Sequence, residues 1–359
     1  MPRFRLSNTA RNVLLGGIAV AVLASCSGID YYRQAAQGQL ALLGDARSID
    51  EWLTDTSTDP KLRLRLAVAR QIRSFAVHEL GLPDNQSYRT YAALKRPYVL
   101  WNVVAAPELS MKPIQWCFPV AGCVSYRGYY SREDAVAYAR ELRKEGNDVQ
   151  IGGVPAYSTL GWFNDPLIST FIHYPDAELA RLIFHELSHQ VLYVAGDSQF
   201  NESFASAVED AGVERWLVGF GNDTMRANYA RFKERKGQFL GLLLKCRKTL
   251  EDVYASSKPV AEKRALKARA FKQLQEDYAQ LKASWGGYAG YDRFFAEPLS
   301  NAHLASIATY TDFVPAFRAL LAREKSFPRF YAAARKLADL DRAERHRQLA
   351  ALAKGQPPA

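Results

Sequence analysis

Apolar residues recur with different periods along the chain, and these periods predict its elements. Over residues 29–97 they recur mainly every three or four positions, which predicts helix, with a stop at Leu80–Asp84. Residues 98–175 instead contain short runs rich in β-branched and aromatic residues, such as Val149–Val154, which favour strands. One helix, from Ser131 to Lys144, is expected between these runs. The pattern therefore predicts a helical segment followed by a mixed α/β region.

The remainder of the chain has the pattern of consecutive helices. Two helices are predicted over residues 176–220, with the chain reversing at Gly196 and Asp197. Residues 226–350 are also expected to be helical, and the charged stretch 226–283 is typical of a solvated helical hairpin. These elements predict an α+β fold that is predominantly α-helical. The expected bounds of the first two helices are Asp176 to about Ala195 and about Asn201 to Phe220.

The N-terminus has the pattern of a bacterial lipoprotein signal peptide. A cationic start precedes the apolar run Val13–Ala24, which is shorter than the about 20 residues of a membrane-spanning helix. The run ends in a segment that resembles a lipobox, so residues 1–25 are expected to be removed and Cys26 to carry a lipid. Ser27 replaces the aspartate that retains lipoproteins at the inner membrane, which implies the inner leaflet of the outer membrane, facing the periplasm. An uncleaved anchor or a plain secretory signal is the alternative.

The net charge does not change the predicted fold or function. Lys and Arg number 47 and Asp and Glu 37, for a net charge of +10. Three arginines leave with the signal peptide, which leaves +7 on the mature chain. Much of that charge lies within residues 226–283, where it alternates with acidic residues, and no nucleic-acid-binding motif is recognised. We therefore expect no nucleic-acid partner.

The remaining cysteines are expected to be structural. Cys117 and Cys123 bracket a short segment with Pro119 and Gly122, whose turn would bring the two thiols together. In an oxidising periplasm a disulfide is the simple expectation, and a metal role has less support because no second Cys or His pair lies nearby. Cys246 lies in an apolar stretch and is expected to be a buried thiol.

The clearest chemical signal is the pattern His185-Glu186-Leu187-Ser188-His189 inside a predicted helix. At 3.6 residues per turn, His185 and His189 share one face and can reach one ion. Glu186 points about 100° away, where its carboxylate can act as general base on a water without ligating the metal. Nitrogen ligands around a site with one open position favour one Zn²⁺ per chain.

A third ligand is expected on the next helix. If the chain reverses at Gly196, His189 and Glu202 come to similar heights in the hairpin, within reach of a carboxylate side chain. The alternative for Glu202 is an ordinary first-turn glutamate. Two helical turns further, Glu209 shares its face and is the expected partner for a ligating histidine, with Asn201 as a second supporting residue.

With these residues in place, the chain resembles the gluzincin metallopeptidases, the group that contains thermolysin and the zinc aminopeptidases. It more closely resembles a family of bacterial lipoproteins described as putative zinc aminopeptidases. The resemblance covers nearly all of residues 26–330 and implies a zinc-helix domain that hydrolyses peptides. The segments that carry it are Trp116–Cys123, Tyr126–Tyr129, Leu160–Pro166, His185–Gln190, Asn201–Ala205 and Leu299–His303, together with Tyr310.

The resemblance is incomplete in two respects. The spacing from His189 to Glu202 is shorter than in the familiar zinc aminopeptidases, and the Gly-x-Met-Glu-Asn element that holds a substrate's free amino group is not found. Peptidase chemistry is therefore a firmer implication than aminopeptidase specificity. A non-catalytic envelope lipoprotein that retains a zinc scaffold for binding peptides or proteins is the alternative, although such a scaffold would not need Glu186.

The remaining site assignments stay open at this level. Tyr310, His303 and Tyr157 are candidates for the donor to the developing oxyanion. Residues 153–162 could form an edge strand that pairs with substrate backbone, or an ordinary sheet edge. No partner is predicted for His346. The expected organisation is one metallopeptidase unit over residues 26–350, followed by a disordered tail at 351–359.

Overall fold

The computed structural model describes residues 30–118, 122–305, 307 and 313–355, which belong to two compact units that divide between Asp45 and Ala46. The described part of the first unit is one helix, α1, over residues 30–44. Residues 30–45 were expected within the single unit 26–350, so the observed division differs from that expectation. The signal peptide, Cys26 and Tyr310 lie outside the described residues.

The second unit is mainly helical, and the prediction of a predominantly α-helical α+β fold is confirmed. Among the described residues its strands lie in the first half, and the second half is a succession of helices. The strands are β1 (Arg47–Ser48), β2 (Thr90–Ala92), β3 (Leu100–Pro107), β4 (Trp116–Phe118), β5 (Gly122–Val124), β6 (Arg127–Tyr129), β7 (Asn147–Val154) and β8 (Leu167–Ile168). The helices are α2 (Ile49–Thr54), α3 (Pro60–His78), α4 (Arg132–Lys144), α5 (Asp176–Val191), α6 (Ser198–Phe220), α7 (Asp223–Ala255), α8 (Val260–Ser284), α9 (Asn301–Ala305), α10 (Val314–Glu324), α11 (Phe327–Ala338) and α12 (Arg342–Ala353), with a 3-10 turn at Asp292–Phe295.

The described residues contain three small sheets. Strands β6, β3 and β7 pair antiparallel in that order, with Leu100 opposite Val154 at one end of the β3–β7 ladder. Helix α4 buries Ala135, Ala139 and Leu142 and contacts β3, β6 and β7. The other sheets are the β4–β5 hairpin and the set β1–β2–β8, in which β2 and β8 run parallel. In the described part of its sheet β7 is an outer strand.

The ends of one strand and one helix have local causes. The strand expected over residues 153–162 stops at Val154, because Pro155 has no backbone N–H to extend a ladder. The helical segment over 29–97 was expected to stop at Leu80–Asp84, and α3 ends just before this stop, at His78. Gly81 follows with φ +62, a left-handed conformation that favours glycine and cannot continue the helix. Strands β1 and β2 also lie within 29–97 and were not expected there.

The helix pair α5–α6 forms the centre of the second unit. Helix α5 ends at Val191 rather than near Ala195, because Leu192 is extended with φ −155. Helix α6 begins at Ser198, three residues earlier than expected, because Asp197 caps it by accepting a hydrogen bond from the backbone N–H of Phe200. Most of α5's apolar residues are buried, among them Leu179, Ile183 and Leu187.

The charged hairpin is present as α7 and α8, and it has its own small core. Phe239, Leu243 and Leu250 of α7 pack with Leu274 of α8, and the buried thiol of Cys246 lies among them. Helix α12 continues to Ala353, so the first residues of the tail expected to be disordered are helical. Within the described ranges, no helix combines the length and the apolar character that crossing a membrane requires.

Candidate metal centre

Helix α5 places His185 and His189 side by side, as their spacing predicts. Their Nε2 atoms lie 3.2 Å apart, and the two rings are nearly perpendicular. A tetrahedral zinc site with bonds of about 2.05 Å has edges of about 3.3 Å. The separation of the two nitrogens therefore fits two ligands of a single zinc ion.

Glu202 reaches the same point from α6. Its Oε2 lies 3.3 Å from Nε2 of His185, and its Oε1 lies 3.8 Å from Nε2 of His189. One ligand atom from each of the three residues falls within 4.8 Å of the others. The donor set of two imidazoles and one carboxylate suits a catalytic zinc site, in which three protein ligands leave one position open.

Asn201 holds the turn between the two helices rather than a ligand side chain. Its Oδ1 accepts a hydrogen bond from the backbone N–H of Val194 at 2.8 Å, and its Nδ2 donates to the Val194 carbonyl at 2.9 Å. The residue is buried, so these two bonds are shielded from water. Asn201 thus fixes the α5–α6 turn immediately before Glu202, which differs from the supporting contact expected for it.

Glu209 contacts His185 as its position on α6 predicts. Its Oε2 lies 2.8 Å from Nδ1 of His185 and 3.2 Å from Arg181, and its Oε1 lies 3.7 Å from Nζ of Lys236. Burial alone would raise the pKa of Glu209, but Arg181, His185 and Lys236 lower it to about 2. A charged Glu209 orients the ring of His185 so that Nε2 faces Glu202.

The two histidines have opposite protonation preferences in this pocket. Burial lowers the pKa of His185, but the charge of Glu209 and hydrogen bonds to Glu202 and Glu209 raise it to about 10. Burial lowers the pKa of His189 to about 4. Burial also opposes ionisation of Glu202, but the two histidines hold its pKa below the usual value. The cluster thus favours one positive charge next to a carboxylate, a charge that a cation can supply in place of the proton.

Glu186 lies on the same helix and remains outside the cluster of three. Burial raises its pKa to about 7, with Glu202 and Asp165 adding to the increase and His185 opposing it. A carboxylate with a pKa near neutrality can both accept and return a proton at physiological pH.

Tyr193 lies beside the site, and sequence reasoning did not single it out. Its ring centroid lies 6.3 Å from that of His189, and burial together with the charge of Glu202 raises the pKa of its phenol. A helix running to about Ala195, as expected from the sequence, would have placed Tyr193 on the face of His189, although α5 ends at Val191 and Tyr193 reaches the site from the turn.

Two of the candidate oxyanion donors have partners of their own in the structure. Nδ1 of His303 accepts a hydrogen bond from the backbone N–H of Ser300, and its ring packs against Phe294. The phenol of Tyr157 lies 2.6 Å from that of Tyr130. Tyr310 lies outside the described residues, so its candidacy rests on the sequence.

His346 does have a partner, and the expectation of none is wrong. Its Nε2 lies 2.9 Å from the carboxylate of Asp197, the N-cap residue of α6. The neighbouring Arg345 donates to the same carboxylate at 2.9 Å, and both Arg345 and Asp197 are buried. Helix α12 is thereby attached to the turn between the two candidate zinc-site helices.

The disulfide hairpin reaches the same turn. Cys117 and Cys123 stand opposite each other on β4 and β5 and are joined by a disulfide. Gly122 has φ +72, and a Cβ atom there would lie 2.4 Å from the backbone nitrogen of Gly196. Only glycine permits this approach of the hairpin to the α5–α6 turn.

The chain matches a known protein family. Residues 30–349 match the model of a family described as "Putative aminopeptidase". The match spans most of the chain, and the protein therefore belongs to this family, which indicates peptidase function. Neither a curated protein nor a solved structure matches the chain.

Proposed function

We propose that the protein is a zinc-dependent peptidase of gluzincin type. The observation that carries the proposal is the convergence of ligand atoms of His185, His189 and Glu202 within 4.8 Å of one another. Glu186 lies on the same helix as the two histidines. A structural zinc site usually has four protein ligands, whereas three leave a position for substrate or water. Membership of a family described as aminopeptidases supports the same conclusion.

In this proposal each side chain has one task. Zinc held by His185, His189 and Glu202 would supply a Lewis acid for the scissile carbonyl and would acidify a water. Glu186 would accept a proton from that water and return it to the leaving amine. Glu209 keeps Nδ1 of His185 engaged, so that Nε2 is directed to the metal.

The proposed setting is the bacterial cell envelope. Residues 1–25 act as a signal peptide, Cys26 carries the lipid anchor, and the enzyme faces the periplasm from the inner leaflet of the outer membrane. The support is the sequence pattern of the N-terminus. The disulfide between Cys117 and Cys123 suits an oxidising compartment. The partners we propose are a peptide substrate and the membrane, without nucleic acid.

A digest of a peptide library tests the proposal. The purified protein is assayed as isolated, after removal of metal with a chelator, and after addition of Zn²⁺. We expect cleavage that is lost with the metal and restored by zinc, with about one zinc per chain. Matched peptides with free and acetylated N-termini then separate an aminopeptidase, which cuts only the free form, from an endopeptidase. Zinc binding without cleavage would favour the non-catalytic scaffold.

A further inference from the structure

A short segment before β2 packs against the side of α5 that carries Glu186. Nδ2 of Asn85 donates a hydrogen bond to Oε1 of Gln190 at 2.7 Å, and Nε2 of Gln190 donates to Oγ of Ser87 at 3.2 Å. Gln190 lies four residues after Glu186, one helical turn along the same face. The segment is thus held beside the residue proposed as general base.

Tyr88 occupies this segment in a strained backbone conformation. Its φ of +62 is uncommon for a residue with a large side chain, and its side chain is buried. Its backbone N–H donates to the carbonyl of Asp165 at 2.6 Å, while Nε of Arg73 donates to the carbonyl of Ser87 at 2.8 Å. These two bonds hold the peptide group before Tyr88, and the backbone N–H of Arg89 donates to the carbonyl of Gln86 at 3.2 Å to hold the peptide group after it. Both peptide groups are therefore fixed around the strained residue, as expected where strain is retained at functional sites.

The hydroxyl of Tyr88 makes no hydrogen bond within the described residues, although it is buried. Such a group costs folding free energy, since it has lost water without gaining a partner. Burial raises the pKa of this phenol, and the next largest contribution comes from the negative charge of Glu186, ahead of Asp165. The unpaired donor therefore lies within electrostatic range of the general base.

We propose that Tyr88 is a positioning residue for Glu186, its hydroxyl donating a hydrogen bond to the Glu186 carboxylate during the reaction. The inference rests on the proposed peptidase function. The Tyr88 hydroxyl aligns the Glu186 carboxylate with the water whose proton Glu186 accepts. It can do so without breaking another hydrogen bond, because it makes none within the described residues. The strained backbone and the unpaired hydroxyl of Tyr88 each lower stability, and in this proposal both place a hydrogen-bond donor for the Glu186 carboxylate.

The substitution Tyr88→Phe tests this inference, because it removes one oxygen and keeps the ring. Tyr331→Phe is the matched control, since the buried Tyr331 hydroxyl donates to the Leu80 carbonyl at 2.8 Å. We expect Tyr88→Phe to lower kcat about tenfold, with unchanged KM and zinc content and an equal or higher melting temperature. Tyr331→Phe should lower the melting temperature and leave kcat within about twofold.

Two results would overturn the inference alone. One is a Tyr88→Phe variant whose kcat matches that of an active wild type. The other is a fall in its melting temperature as large as that of Tyr331→Phe, or failure to fold, since either would show that the hydroxyl is a structural donor. A wild type that binds zinc and cuts no peptide would instead remove the proposed function, and this inference with it.

Discussion

The carboxylate of Glu209 lies 2.8 Å from Nδ1 of His185, although the two residues belong to different helices. The same carboxylate is the counter-charge of Arg181, whose side chain is largely buried. One residue therefore serves both the proposed metal centre and the stability of the α5–α6 pair.

Glu209→Gln should weaken both properties. We expect zinc affinity to fall about 10- to 100-fold, because His185 loses a charged partner. The free energy of unfolding should fall by about 3 kcal/mol, because Arg181 is left without its counter-charge. Competition with a chelator and denaturant unfolding measure the two effects. Glu214→Gln, an exposed position on the same helix, is the control. Loss of stability with unchanged zinc affinity would limit Glu209 to pairing with Arg181.

Glu202→Gln tests the third ligand. An amide oxygen is a weak zinc ligand, so we expect zinc affinity to fall at least about 100-fold. Zinc should raise the melting temperature of the wild type and of Glu214→Gln, and it should have little effect on Glu202→Gln. Equal stabilisation of all three proteins by zinc would show that Glu202 does not ligate the metal.

Gly122→Ala tests the contact between the disulfide hairpin and the α5–α6 turn. Gly146→Ala is a matched control, because Gly146 also has a positive φ, +85, with nothing within 4 Å of a Cβ atom. The control should cost about 1 kcal/mol for backbone strain. Gly122→Ala should cost about 2 kcal/mol more, because Gly196 must move. It should also weaken zinc binding, which the control should not. Equal costs in denaturant unfolding would mean that the hairpin does not press on the turn.

The raised pKa of Asp165 predicts a pH dependence of the free energy of unfolding. Burial raises its pKa from 3.8 to about 6, against hydrogen bonds from Thr159 that lower it. The folded state therefore holds this proton more tightly than the unfolded state does. Its contribution to stability is complete below about pH 3.8 and is lost as the pH rises through about 6. The Asp165 charge raises the pKa of Glu186, so wild type and Asp165→Asn are both compared in a Glu186→Gln background, where their difference isolates Asp165.

The free energy of unfolding of wild type, relative to Asp165→Asn, should accordingly fall by up to about 3 kcal/mol between pH 4 and pH 7. Urea unfolding of both proteins at several pH values measures it. A difference that stays constant over this range would mean that the Asp165 carboxyl is ionised throughout.

The metal cluster could be predicted from sequence because its geometry is local. Helical periodicity sets the spacing of His185 and His189, and one short turn places Glu202 beside them. The helix ends were less predictable, since they depend on the extended backbone of Leu192 and on capping by Asp197. The fold class could also be predicted, because the helical periodicity that indicates it is local to each helix.

Contacts between distant segments could not be predicted in this way. His346 meets Asp197 across 149 residues, and no local pattern links the two. Tyr88 lies beside α5 for two reasons. Its neighbour Ser87 accepts a hydrogen bond from Gln190 of α5, and its own backbone N–H donates to the carbonyl of Asp165. The sheet β1–β2–β8 is built from strands of two or three residues, too short to show an alternating pattern.

The account depends most directly on Glu186 as the general base. The decisive measurement is the rate of peptide cleavage by Glu186→Gln beside the wild type, at matched zinc content. The account predicts that the variant retains about one zinc per chain and loses at least about 10³-fold in kcat. A zinc-loaded Glu186→Gln that cleaves peptides at the wild-type rate would contradict it.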